Sequence, residues 1–130
     1  MELRVNPDLM GRLSAYFFIV ANAYYPAKIL TRKYIGSSRE ITQFFNVYLK
    51  VHIAFNLIGL WLTLLHGHYA DERNLILQMS MLVTIWLSIV GTAMYYKKPA
   101  GLYREMKLLH TQQIMFYVWV ALIIIGHSLI

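Results

Sequence analysis

Cysteine is absent from this 130-residue chain, and its absence excludes several kinds of site. There can be no disulfide framework, no thiolate metal site and no cysteine-attached haem. Charge is also scarce: charged residues make up 14% of the chain, and all six acidic residues lie outside the long apolar stretches. No serine–histidine–acid or paired-carboxylate arrangement is present, which argues against a hydrolase. A glycine-rich nucleotide fingerprint is absent as well, so we expect no flavin or nicotinamide site.

Apolar residues, by contrast, are abundant. They make up 58% of the chain, and the mean hydropathy is +0.49. A soluble domain of this size cannot hide so much apolar surface, because small globules leave much of their surface in water. We therefore expect an integral membrane protein. The polar start of the chain lacks the basic segment and cleavage site of a signal peptide, so we expect the first apolar stretch to be retained as a membrane span.

Four apolar stretches approach the length of about 20 residues that a membrane-spanning helix needs. They run roughly over 13–30, 47–65, 75–96 and 108–130. The sequence thus predicts an all-α protein with a single transmembrane four-helix domain over residues 1–130, and short connections predict antiparallel neighbours. There is no internal repeat and no linker to a second domain.

Charge in the connecting segments predicts how the helices are oriented. The segments "LTRKYIGSSREITQ" and "KKPAGLYREMK" are basic, whereas "GHYADERN" is acidic. By the positive-inside rule the two basic segments face the cytoplasm and both termini lie on the opposite side. We therefore expect the basic residues that give the net charge of +6 to contact lipid head groups and not nucleic acid. We expect an integral protein of a prokaryotic cytoplasmic membrane.

The five histidines form a pattern within this topology. His52 and His110 fall at the inner membrane level, His66 and His127 fall at the outer level, and His68 follows His66 closely. One imidazole from each of two facing helices can bind a haem iron from opposite sides and leave no open position on the metal. The sequence predicts two haem b groups per chain, with one as the alternative: an inner iron held by His52 and His110, and an outer iron held by His66 and His127.

Helix geometry supports the predicted haem ligands of the second helix better than those of the fourth. His52 and His66 are fourteen residues apart, which is about 21 Å by helical rise and nearly the same face. Gly59 lies midway on that face and would leave room for a flat macrocycle. His68 is about 160° from His52 on a straight helix, so it is the poorer outer ligand. His110 and His127 differ by about 100° on a straight helix, and a local bulge would be needed to align them.

The stretch "HIAFNLIGLWLTLLH" resembles a haem-bearing helix of the di-haem membrane cytochromes b. That group includes the cytochrome b561 and ferric-reductase-like proteins and the cytochrome b subunits of formate dehydrogenases and hydrogenases. The stretch "LHTQQIMFYVWVALIIIGH" is similar in kind but longer between its histidines. The resemblance covers mainly the second and fourth predicted helices. It implies that histidines about four turns apart on two helices hold two stacked b haems.

The predicted function is electron transfer across or within the membrane. Electrons would be exchanged with a quinol or a redox partner protein, and the chain would be a subunit of a larger complex or a homo-oligomer. Any catalysis would be quinol oxidation or reduction within a membrane oxidoreductase. The alternative is a non-redox membrane anchor or assembly subunit whose histidines only pack. A metal-ion or proton transporter is disfavoured, because histidines about 20 Å apart cannot share one ion.

Other polar residues in the spans predict packing contacts. Asn22 lies deep in the first span and is costly there unless it is paired. Asn56 is one turn beyond His52 and could hydrogen-bond a ligand histidine or a backbone carbonyl. A stripe of small residues on the third helix would let helices approach closely, with room for a haem edge as its other use. The stripe comprises Ser80, Thr84, Ser88, Gly91 and Thr92.

Overall fold

The computed structural model describes residues 6–71, 73–111 and 113–130. All regular secondary structure in these ranges is helical, which confirms the predicted all-α class. The helices are α1 (Pro7–Asn22), α2 (Tyr24–Tyr34), α3 (Arg39–Tyr69), α4 (Leu75–Tyr96), α5 (Tyr103–Thr111) and α6 (Gln113–Ser128), with a short 3-10 turn at Ala100–Leu102 before α5.

Two of these helices, α3 and α4, are long and apolar enough to cross a membrane. A third crossing results if α5 and α6 together form one bent span. The helix α4 has the bounds predicted for the third span, and α3 extends beyond the predicted second span at both ends. Two or three helices are thus long and apolar enough to span a membrane, whereas the four-span bundle and the outward termini stay predictions.

The first predicted span, 13–30, is divided into α1 and α2 at Ala23. Pro26 explains the division, because proline has no N–H to donate to the carbonyl four residues earlier, and its ring clashes with that carbonyl. The carbonyl concerned belongs to Asn22, the last residue of α1. The two parts contain 16 and 11 residues, so neither alone matches a full span.

The fourth predicted span is also divided. The axes of Ala100–Thr111 and Ile114–Ser128 differ by 51°. This bend falls between His110 on α5 and His127 on α6. The angle calculated between these histidines for a straight helix therefore does not apply to this part of the chain.

The chain forms two compact units, the first ending at His66 and the second beginning at Gly67. In the first unit α1 packs antiparallel on α3. Tyr48 donates to the Val20 carbonyl over 2.7 Å, and Ser14 donates to the Gly59 carbonyl over 3.0 Å.

In the second unit α4 packs on both α5 and α6. The Trp119 indole on α6 donates to the Thr84 hydroxyl on α4 over 2.7 Å, and Asn74 donates to the Gly126 carbonyl over 2.8 Å. Each unit is therefore a helical hairpin whose second arm carries two of the predicted ligands.

Candidate functional site

His52 lies on the face of α3 that meets α1. Its Nδ1 is 2.8 Å from the carbonyl oxygen of Ala21. Because a carbonyl can only accept, Nδ1 must carry the proton and donate it. In the neutral ring this leaves Nε2 unprotonated, with the lone pair that a metal ligand needs. The ring is half-buried, and the Tyr24 ring lies beside it at a centroid distance of 5.5 Å.

His66 is held on α1 in the same way, fourteen residues along α3. Its Nδ1 donates to the Pro7 carbonyl over 2.7 Å. The ring also lies directly on Gly11, where an added Cβ would be 3.1 Å from the His66 Nδ1 and Cε1 atoms. Both predicted ligands of α3 therefore share one face, as the spacing predicted, and both donate from Nδ1 to the backbone of α1.

Gly59, midway between these histidines, is buried against α1. A Cβ at this position would lie 3.0 Å from the Phe18 ring. The Ser14 and Thr63 hydroxyls lie within hydrogen-bonding distance of the Gly59 carbonyl and of each other. Gly59 thus permits close approach of α1 and α3, and the Phe18 ring fills the space beside it. Its predicted role in making room for a macrocycle stays a prediction.

Two asparagines extend the polar contacts around His52. Asn56 donates to the His52 carbonyl over 2.8 Å, and its Nδ2 also lies 3.3 Å from Nδ1 and 3.5 Å from Nε2 of the His52 ring, where only the unprotonated Nε2 can accept. Asn22 donates to the Phe18 carbonyl over 2.9 Å and to the Asn56 side-chain oxygen over 3.3 Å. Asn22 is therefore paired, and Asn56 contacts both the histidine ring and a backbone carbonyl, the two contacts that its position allowed.

The ring of His110 in the second unit lies against α4. A Cβ at Gly91 would be 2.6 Å from the His110 Cε1, which is closer than real Cβ atoms approach other atoms. Ser80 and Thr84 are buried, and Thr84 accepts from Trp119. The small-residue stripe of α4 therefore lets helices pack closely, which confirms the packing interpretation for Thr84 and Gly91.

His127 and His68 differ from the other three histidines because both are exposed. The Nδ1 of His127 donates to the Ile123 carbonyl of its own helix over 2.9 Å. The ring of His68 lies edge-on to the Tyr69 ring, and the backbone carbonyl of His68 accepts from the Arg73 guanidinium. The Nδ1 of His127 is thus turned toward a backbone carbonyl, as in His52 and His66.

No protein-family model, curated protein or solved structure matches this chain.

The histidines fit haem ligation in one specific respect. A histidine that binds a metal almost always donates its other ring N–H to a carboxylate, a carbonyl or a water, and this bond fixes the tautomer. Three of the four predicted ligands, His52, His66 and His127, make such a bond from Nδ1 to a backbone carbonyl. Within the described residues no cluster of three or more His, Cys, Asp or Glu side chains could hold a metal ion. A haem iron needs only two imidazoles from the protein, because the porphyrin supplies its other nitrogens.

Gly11 is one of several residues in the contact between α1 and α3 that were not predicted as site residues. The residue spacing could have predicted this contact, because the contact positions along α1 and along α3 are separated alternately by four and three residues. On α1 these positions are Pro7, Gly11, Ser14, Phe18 and Ala21, and on α3 they are His52, Asn56, Gly59, Thr63 and His66. Such a pattern marks the stripe of one helix that packs along another.

Proposed function

We propose that this chain is a b-type membrane cytochrome that carries electrons across or within the membrane through two haems. His52, His66, His110 and His127 are the proposed ligands. The observation that carries the proposal is the shared donation from Nδ1 to a backbone carbonyl at His52, His66 and His127. This arrangement presents an unprotonated Nε2 and raises its basicity toward a metal.

Haem bound by two imidazoles would supply reversible one-electron chemistry at an iron with no open coordination position. The chain's own part is to hold the imidazoles in a fixed tautomer and orientation. The carbonyls of Ala21, Pro7 and Ile123 fix the tautomer and orientation of three rings, whereas close packing on Gly91 restricts only the orientation of His110. The pairing of His52 with His110 and of His66 with His127 is taken from the topology that the sequence predicts.

The proposed electron donor or acceptor is a quinol or a redox partner protein. The chain would act as the electron-transfer subunit of a membrane oxidoreductase, in a larger complex or as a homo-oligomer. In this proposal both termini face away from the cytoplasm, and the basic segment before α3 and the one between α4 and α5 face anionic lipid head groups on the cytoplasmic side.

An absorbance spectrum of the purified protein tests the proposal. After haem-replete expression, we expect reduced-minus-oxidised bands of low-spin haem b. His52→Ala removes a ligand and should lower the haem content per chain. His68→Ala is the matched control and should keep the wild-type spectrum, because the exposed His68 ring lies against Tyr69 and is not a proposed ligand. Wild-type protein without these bands would contradict the proposal.

A non-redox membrane anchor is the second candidate, and one observation favours it. Phe18 fills the space beside Gly59, so the histidine face of α3 is already packed against α1. In this alternative the imidazoles act only as packing and hydrogen-bonding groups between helices. It predicts that His52→Ala lowers thermal stability in detergent while no preparation carries haem. The same pair of measurements, haem content and melting temperature, therefore separates the two functions.

A further inference from the structure

Two glycines on the helices that lack predicted ligands lie directly beneath ligand imidazoles. Gly11 on α1 lies beneath His66, and Gly91 on α4 lies beneath His110. An added Cβ would be 3.1 Å from the nearest ring atoms of His66 and 2.6 Å from the nearest atom of His110. Each unit therefore contains one glycine whose missing side chain determines where a predicted ligand ring can lie.

The orientation of the His66 ring shows what Gly11 contributes. The ring atoms nearest to a Cβ at Gly11 are Cε1, Nδ1 and Cγ. The ring thus turns its Nδ1 edge toward α1, where Pro7 accepts the proton of Nδ1 over 2.7 Å. Nε2 is consequently directed away from α1. A methyl group at Gly11 would require this edge to move by a few tenths of an ångström, which would lengthen the hydrogen bond that fixes the tautomer.

The contact at Gly91 is tighter. Three ring atoms of His110, Cε1, Nδ1 and Nε2, lie within 3.1 Å of the position that a Cβ would take. Contacts this short between a Cβ and a ring cannot persist, so the imidazole of a Gly91→Ala variant would have to turn or retreat. The position of both ring nitrogens is therefore set by the absence of a side chain at Gly91.

We propose that Gly11 and Gly91 are positioning residues for the haem-ligand imidazoles, Gly11 for His66 and Gly91 for His110. This inference rests on the proposed haem function. The two glycines act on different predicted haems, because His66 belongs to the outer pair and His110 to the inner pair. An alanine at either position should change the orientation of one axial imidazole and leave the other haem unchanged.

Two other glycines provide matched controls. A Cβ at Gly101 would meet no heavy atom within 4 Å, and a Cβ at Gly67 would meet only the flexible methyl of Met81 at 3.3 Å. Gly101→Ala accompanies Gly91→Ala in the second unit. Gly67→Ala accompanies Gly11→Ala, because it introduces the same methyl group into a helix and, apart from its chain neighbours and its own helix backbone, meets only the Met81 methyl.

The experiment measures haem per chain, the electron paramagnetic resonance signals of the ferric haems and their midpoint potentials. Gly91→Ala should shift the resonance signal and midpoint potential of the haem that is lost in His110→Ala. Gly11→Ala should shift the signal and potential of the haem that is lost in His66→Ala. Both controls should match the wild type. Wild-type signals in the haem-loaded Gly11→Ala and Gly91→Ala variants would overturn this inference but leave the proposed function standing. A wild type without haem would overturn the proposed function and the inference with it.

A double variant covers the case in which Gly91→Ala does not fold. Removing the ring in Gly91→Ala/His110→Ala removes the atoms with which the new methyl collides, so this protein should melt at the temperature of His110→Ala alone. If the double variant remains as unstable as Gly91→Ala, the methyl collides with something other than the imidazole, and the assignment of Gly91 to His110 is wrong.

Discussion

The Ser14 hydroxyl shows how single polar groups join two helices in the first unit. It is buried and donates to the Gly59 carbonyl on α3 over 3.0 Å. Hydrogen bonds between membrane helices average about 0.6 kcal/mol and reach about 1.7 kcal/mol. Because Gly59 lies between His52 and His66, this bond holds α1 against the face that carries both predicted ligands.

We therefore expect Ser14→Ala to lower the free energy of unfolding by about 0.6 to 1.7 kcal/mol. Thermal unfolding in detergent measures the loss. Ser128→Ala is the control, since the Ser128 hydroxyl is exposed and donates to Ile124 within its own helix. Equal losses in the two variants would show that the bond between α1 and α3 contributes nothing beyond an ordinary side-chain contact.

Pro26 is the feature that determines how the first arm of the hairpin is built. It prevents α1 from continuing into α2, so the arm consists of two helices joined at Ala23. A proline inside a helix costs about 3 kcal/mol relative to alanine, whereas proline at the first helical position costs little. Pro7 occupies that first position in α1, after the capping residue Asn6.

Pro26→Ala should consequently join α1 and α2, because the new N–H can donate to the Asn22 carbonyl. We expect higher helical content by circular dichroism, greater hydrogen-exchange protection around Ala23 and a higher melting temperature. Pro7→Ala should leave all three nearly unchanged. If Pro26→Ala instead lowers the melting temperature, the break is required by the packing of this arm and is not merely imposed by the proline.

The helices differ in how far their bounds follow from the sequence. The bounds of α4 could be predicted because Asn74 caps its start and an unbroken apolar stretch follows. The common face of His52 and His66 followed from helical periodicity alone. By contrast, the bend between α5 and α6 is marked by no proline or glycine at that point in the sequence. The contact of Gly11 with His66 depends on the register between two helices, which periodicity within either helix does not determine.

At the scale of the whole molecule, the two hairpins follow one plan. In each unit a first arm without predicted ligands, α1 or α4, packs on the arm that carries two of them. His52 and His66 contact α1, and His110 contacts α4. The first arms therefore orient three of the four imidazoles, since the Nδ1 of His127 donates within its own helix. In the proposed function, each haem would take one histidine from each unit.

The pairing across units predicts a specific pattern of losses. We expect His52→Ala and His110→Ala each to remove the inner haem, so the double variant should lose no more haem than either single variant. His52→Ala/His66→Ala should lose both haems, although both changes lie in one helix, because they affect different irons. Non-additivity within a pair and additivity between pairs are the signatures of shared and separate sites. Haem per chain, measured beside the redox titration, checks this. If His52→Ala/His110→Ala loses both haems while each single variant loses one, the two histidines serve different irons, and the proposed pairing is wrong.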